Sequence, residues 1–174
     1  EKEEVGALRE RLLGGKKYLV AIHSTHGKSA PNIPPAEYAK LIELLKADQR
    51  ISVLSTDDNP PTEIKNVEGI NFIRQDAGLR ELILHLSAAD WLISASTGPM
   101  HVASACGAKT LSLFCPLPAC RPELWGSGGE DANYLLPSEG YCSKVCSGDP
   151  HKCDFSGNGG LDAKVVAEKL FDLL

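Results

Sequence analysis

The chain lacks the long apolar run of roughly 18–20 residues that a membrane-spanning helix needs. It lacks a basic excess: 18 Lys and Arg stand against 23 Asp and Glu, a net charge of −5. A nucleic-acid backbone is therefore excluded as the expected partner. Its acidic start, Glu1-Lys2-Glu3-Glu4, does not read as a secretory leader. No internal repeat is visible. There is no Gly-x-Gly-x-x-Gly turn, no Walker loop and no nucleophile elbow, which weighs against dehydrogenase, P-loop and serine-hydrolase chemistry. The six cysteines are not spaced as the framework of a small secreted domain. At 174 residues the chain is long enough to fold around one core without such staples. The expectation is one domain, residues 1–174, in a reducing, cytoplasmic setting.

What is present is an alternation of short apolar runs and amphipathic stretches. Runs at 18–22, 51–54, 70–73, 91–95, 110–114 and 134–136 read as strands. Helices are expected over 3–13, with Val5, Leu8, Leu12 and Leu13 on one side; over 37–47, with Tyr38, Leu41, Ile42 and Leu45 as the buried stripe; around Leu79, Leu82, Ile83 and Leu86; and from Asp162 to the end. Alternating strands and helices imply an α/β fold, a Rossmann-like three-layer parallel sheet. Strands that read as continuous apolar runs fit a sheet covered on both faces. Residues 115–160 break the pattern. They are rich in Pro, Gly and Cys, and beyond a short helix at 122–125 and the run at 134–136 they read as irregular.

In such sheets ligands bind at the carboxyl ends of the strands. Three polar segments fall there: 23–28, 55–59 and 96–101. The most informative is Ser96-Thr97-Gly98-Pro99-Met100-His101, between an apolar strand and a helix of small residues. A helix start offers unpaired N–H groups and partial positive charge, hence an anion site. Gly98 is expected at the cap and Pro99 at the first helical position, with His101 in the first turn leaning back toward the anion. Ser, Thr and Gly alone would be explained by capping; their combination with a first-turn His points to a ligand. After the first strand, Ser24, Thr25 and Lys28 offer hydroxyls and a point charge to a diphosphate, although a solvated loop explains them equally well. Thr56 and Asp57 stand where acidic residues of nucleotide-binding folds meet ribose; a turn is the simpler reading of Asp-Asp-Asn-Pro-Pro. Asp76 and Asp90 read as structural. Cys142, Cys146 and Cys153, with three and six residues between them, are weak metal candidates together with His151, because the spacing matches no standard finger. Cys106, Cys115 and Cys120 read as small core or loop residues.

The block from Leu86-Ser87-Ala88-Ala89-Asp90 through Ser96–His101, Ala103, Gly107, Leu113-Phe114-Cys115-Pro116 to Arg121 and Trp125-Gly126 resembles the family 9 glycosyltransferases, the ADP-heptose:lipopolysaccharide heptosyltransferases and their relatives. The resemblance implies one half of a GT-B fold, the carboxyl-terminal, nucleotide-sugar-binding half, with residues 1–16 as the connecting helix. It implies an enzyme whose catalytic base and glycolipid acceptor site lie mainly in an amino-terminal half, so no base is assigned to this chain. Thr97, Gly98, Pro99, Met100 and His101 would hold the donor pyrophosphate, His101 stabilising the leaving group. Ser96 would stand beside the sugar, Ser24, Thr25 and Lys28 on the other side of the pyrophosphate, and Thr56, Asp57 and the backbone near Ala77 beside the adenosine. The substrate would be an ADP-sugar, no cofactor or metal would be required, and the setting would be the cytosolic face of the bacterial inner membrane, with peripheral association. The chain departs from the pattern at Ser96, where many members carry aspartate. It departs again at Ile33-Pro34, where many carry Trp-Pro preceded by a lysine. The family's late cysteines resemble Cys142, Cys146 and Cys153. Two other classes fit the same architecture: a sugar-nucleotide epimerase, and a non-catalytic nucleotide-binding module.

Overall fold

The computed structural model describes residues 2–25, 30–146 and 148–174. Six parallel strands form one sheet: β1 (Tyr18–His23), β2 (Ile51–Ser55), β3 (Asn71–Phe72), β4 (Trp91–Ala95), β5 (Lys109–Leu113) and β6 (Ala132–Leu135), in the order β3-β2-β1-β4-β5-β6. The order reverses between β1 and β4, which is where an open parallel sheet leaves a crevice at its carboxyl edge. Helices α1 (Lys2–Leu13), α2 (Pro35–Ala47), α4 (Leu79–Ala88), α5 (Gly98–Ala105) and α8 (Ala163–Leu173) cover its faces. The four-residue helices α3 (Thr62–Lys65), α6 (Pro122–Trp125) and α7 (Tyr141–Lys144) lie between them.

The apolar runs are continuous because both faces are packed. Successive strand residues point to opposite faces. Leu19 and Ala21 of β1 and Leu92 of β4 meet Leu12 of α1, Leu86 of α4 and Ala103 of α5. Val20, Ile22, Trp91 and Ile93 meet Tyr38, Leu41 and Leu45 of α2 and Val166 and Leu170 of α8. Each wholly buried Leu or Ile contributes roughly 1.5–3 kcal/mol, so the central strands carry much of the hydrophobic stabilisation. Asp90 is structural as expected: it takes both Arg9 Nη2 contacts at 2.8 and 2.9 Å and the Leu19 N–H at 2.8 Å. Asp162 caps α8, accepting the Val165 N–H at 2.9 Å.

Several boundaries differ from the sequence reading. β3 is two residues long instead of four, because at the sheet edge it pairs only with Leu54 and Ser55. β5 and β6 each begin earlier than their apolar residues. Lys109 enters β5 with its ammonium 5.7 Å from the Trp91 ring, and Ala132 pairs with Thr110. In α4 the apolar stripe is only partly used: Leu86 is buried, while Leu79 is 64% exposed. Residues 115–160 hold more structure than expected, since α7 buries Tyr141 against Phe155 and Leu161. Gly160 permits that packing; a Cβ there would lie 1.8 Å from the Phe155 carbonyl oxygen.

Candidate functional site

β4 delivers the chain to the crevice and α5 leaves from it. Thr97 is the N-cap in extended backbone (φ −141°, ψ 165°), so the helix begins at Gly98 and Pro99 occupies its second position. This is one residue earlier than the expected start. The shift has a physical effect: proline deletes one of the amides at the helix start. The Met100 N–H reaches back to the Thr97 carbonyl at 3.2 Å. The Met100 side chain is fully buried and its N–H is already engaged, so neither is free for the expected donor contact at this position. Ser96 is half-buried, Gly98 and His101 are exposed, and with Thr97 and Trp125 they line a cavity of about 290 Å³.

Two details mark this cavity. A Cβ built on Gly98 would meet no atom of the described residues beyond its own helix within 4 Å. The glycine is thus required neither by packing nor by a positive φ, and its bareness leaves the helix start approachable. Thr97 Oγ1 is buried and has no hydrogen-bond partner among the described residues. Ser55 Oγ and Ser112 Oγ share that condition, but they lie within β-strands, whereas Thr97 faces a cavity. A buried hydroxyl without a partner calls for one.

The loops after β1 and β2 are locked together, in a way the sequence did not announce. The Asp57 carboxylate is 1% exposed. Ser24 donates to its Oδ2 from N and Oγ at 2.9 and 2.8 Å, and Thr25 to its Oδ1 from N and Oγ1 at 3.0 and 2.6 Å. Asn32 holds the Ser24 carbonyl at 2.8 Å and takes the Tyr38 hydroxyl at 2.8 Å. These bonds give three of the expected ligand contacts partners within the protein. The hydroxyl protons of Ser24 and Thr25 serve Asp57, because a buried carboxylate is tolerated only when its oxygens are satisfied. Asp57 organises the loops. Thr56 is 3% exposed and donates Oγ1 to the Ile22 carbonyl at 3.1 Å. Ala77 sits on the expected rim with its N–H donated to the Arg74 carbonyl at 3.1 Å. Lys28 lies outside the described residues.

His23 closes this network, with Nδ1 3.1 Å from Thr56 Oγ1 and 3.5 Å from Asp57 Oδ1. Burial lowers its pKa, and the facing Asp57 opposes that shift. On the β2–β3 rim, Asp58, Asn59, Phe72 and Gln75 line a second cavity of about 240 Å³. Sequence reading placed Asp58 and Asn59 on this edge within segment 55–59 without giving them a role, quoted Trp125 only as part of the resemblance, and missed Phe72 and Gln75. The signal available for both was position alone, since every loop that follows a parallel strand reaches the same rim.

The late cysteines converge. Cys142 Sγ lies 3.9 Å from Cys115 Sγ, and Cys142, Cys146 and Cys153 pack on the same core as Cys115. Burial, reinforced by Cys115, pushes the Cys142 thiol up to about 12; burial pushes Cys153 up to about 11. All six cysteines are free thiols. Among the described residues no group of three or more His, Cys, Asp or Glu is placed to hold a metal ion.

A parallel sheet of order 3-2-1-4-5-6, with a bare helix start and a first-turn histidine at its switch point, defines a Rossmann-like α/β domain. Residues 2–143 match Glycosyltransferase family 9 (heptosyltransferase), and the chain belongs to that family. A Haemophilus influenzae protein described as "Putative glycosyltransferase" is 31% identical over 128 residues, which is 68% of this chain and 36% of that protein. The fold matches E. coli heptosyltransferase WaaC solved with ADP, at a TM-score of 0.67 and 16% identity, over 97% of this chain and 49% of that one. It also matches E. coli ADP-heptose lps heptosyltransferase II, at 0.65 and 15%, over 99% and 51%. The chain thus spans about half the length of these solved relatives. No helix among the described residues is long and apolar enough to cross a membrane.

Proposed function

We propose that this chain is the donor-binding half of an inverting glycosyltransferase. It would hold an ADP-sugar, with ADP-heptose the first candidate, for transfer to the lipopolysaccharide core or a related glycan at the cytosolic face of the inner membrane. The observation that carries the reading is the unpartnered Thr97 hydroxyl beside the bare Gly98 helix start, in one cavity with His101. That arrangement suits a diphosphate. One relative, E. coli heptosyltransferase WaaC, was solved both with ADP and with ADP-2-deoxy-2-fluoro heptose, which supports adenosine as the nucleoside. The acceptor site and the catalytic base are assigned to the other half of the enzyme.

The chemistry follows from charge. A base takes the proton of the acceptor hydroxyl, whose oxygen bonds to the anomeric carbon. The bond from that carbon to the diphosphate oxygen breaks, and the nucleoside diphosphate leaves with the electron pair. Negative charge therefore grows on the oxygen nearest the α5 start. Donors fixed in advance at that place stabilise the transition state more than the ground state. Removing one such donor typically costs about 2.7–4 kcal/mol, or roughly 10²–10³ in turnover.

The test has two parts. Calorimetric titration with ADP, GDP and UDP is expected to show ADP bound most tightly; no binding of any of them overturns the reading. In the transferase assay of the complete enzyme, His101→Ala is expected to lower kcat roughly 100-fold or more with little change in donor KM. Equal losses in both would reduce His101 to a binding contact.

A further inference from the structure

The chain has two tryptophans, and the fold treats them oppositely. Trp91 is 4% exposed, within the core. Trp125, the last residue of α6, is 56% exposed and lines the cavity that holds Ser96, Thr97, Gly98 and His101. A large apolar side chain left open on the wall of a polar cleft invites an account.

Its orientation is fixed. The indole N–H donates to the Ala119 carbonyl at 2.9 Å, so its polar edge is satisfied and its faces carry no hydrogen-bonding obligation. The backbone beneath is equally constrained. The Trp125 N–H reaches the Arg121 carbonyl at 3.3 Å and the Gly126 N–H the Pro122 carbonyl at 2.7 Å. A Cβ on Gly126 would lie 2.5 Å from the Tyr134 hydroxyl; only glycine lets Tyr134 approach and donate to the Ser127 carbonyl at 2.7 Å. Tyr134 in turn meets the buried Phe114 edge to face, at 5.4 Å between centroids. A continuous line of support thus runs from the core strand β5 to the exposed indole. An aromatic ring held this way offers contact area with little further loss of rotamer entropy.

Topology gives the ring its place. The α5 start stands at the middle of the sheet. The β1 and β2 loops lie to one side, and the segment after β5, which carries α6, lies to the other. If the diphosphate sits at α5 and the nucleoside at the cavity of the β2–β3 rim, the group on the far side of the diphosphate is the sugar. Sugar rings present faces of polarised C–H bonds, and an indole face is electron-rich. We propose that Trp125 is the stacking platform for the sugar ring of the nucleotide-sugar donor. This inference rests on the donor-site reading above.

The experiment compares Kd values by calorimetry for two pairs of probes: ADP with ADP-2-deoxy-2-fluoro heptose, and UDP with UDP-glucose. The wild-type chain is set against Trp125→Ala and Trp125→Phe, with near-ultraviolet circular dichroism confirming that each variant keeps its tertiary packing. Trp125→Ala is expected to weaken a sugar-bearing ligand roughly five- to tenfold while leaving the bare diphosphate within about twofold, and Trp125→Phe to restore most of the loss. Equal weakening of bare and sugar-bearing ligands would make Trp125 a contact of the nucleoside or phosphates and overturn the proposal. No weakening of either, or no gain from the sugar in the wild type, overturns it as well. If the wild type binds none of the four probes, the donor-site reading falls and takes this inference with it. Binding of bare diphosphate without the Trp125 effect sinks the platform alone.

Discussion

The hydroxyl of Thr25 donates to Oδ1 of Asp57 across 2.6 Å, joining residues 32 positions apart. With the three companion bonds from Thr25 N and from Ser24 N and Oγ, it turns two loops into one rigid edge beside the α5 start.

Asp57→Asn is therefore expected to destabilise the fold by about 2–3 kcal/mol, because an amide nitrogen would face donors where an oxygen now accepts them. Urea unfolding measures this. A loss below about 1 kcal/mol would show that the loops hold together without the carboxylate.

Gly98→Ala separates stability from binding. The added methyl meets no atom of the described residues beyond its own helix within 4 Å, and alanine is the better helix former by up to about 1 kcal/mol. The melting temperature is expected to hold or rise, while ADP affinity falls roughly tenfold as the methyl intrudes on the ligand. Unchanged ADP affinity would show that nothing approaches this position closely.

Histidine 23 sets a pH dependence. Burial holds its folded-state pKa below the ordinary value of about 6.5, so the unfolded chain takes up a proton first as the solution is acidified. The neutral, buried ring contributes its full stability above about pH 6.5, and that contribution is lost as pH falls through the folded-state pKa. The wild type is expected to melt lower at pH 5 than at pH 7.5, and His23→Gln to show a smaller difference. Parallel curves for the two proteins would assign the acid sensitivity to carboxylates elsewhere.

The thiols of Cys142 and Cys153, pushed up to about 12 and about 11, stay protonated at pH 8. Thiolates are the reactive form, so maleimide is expected to label both roughly 100-fold more slowly in the native protein than in urea. Mass spectrometry of the labelled peptides reads the rate. Fast native labelling of Cys142 would show that its neighbours do not suppress ionisation.

The fold was legible where burial sets the pattern. β4 ran as expected over Trp91–Ala95, and α2 carried its stripe of Tyr38, Leu41, Ile42 and Leu45, because continuous apolar runs and three-four spacing are direct consequences of packing. The edge strand β3 was overread: only Asn71 and Phe72 are in register with β2, and Ile73 adds just its N–H to the Ser55 carbonyl at 3.0 Å. The site was legible in part. The helix start at Thr97–His101 announces itself through local chemistry. The roles of Ser24, Thr25, Thr56 and Asp57 did not, because a hydroxyl aimed at a buried carboxylate and one aimed at a ligand look alike in a sequence. Trp125 was hidden for the opposite reason: its exposure follows from support by Gly126 and Tyr134, a relation the sequence does not display.

Pro99 leaves α5 with one amide fewer than an ordinary helix offers at that end. A phosphate gripped by fewer donors departs sooner. Under the donor-site proposal, that missing N–H would shorten the stay of a bound nucleotide, and the proline would bear on release as well as on the turn.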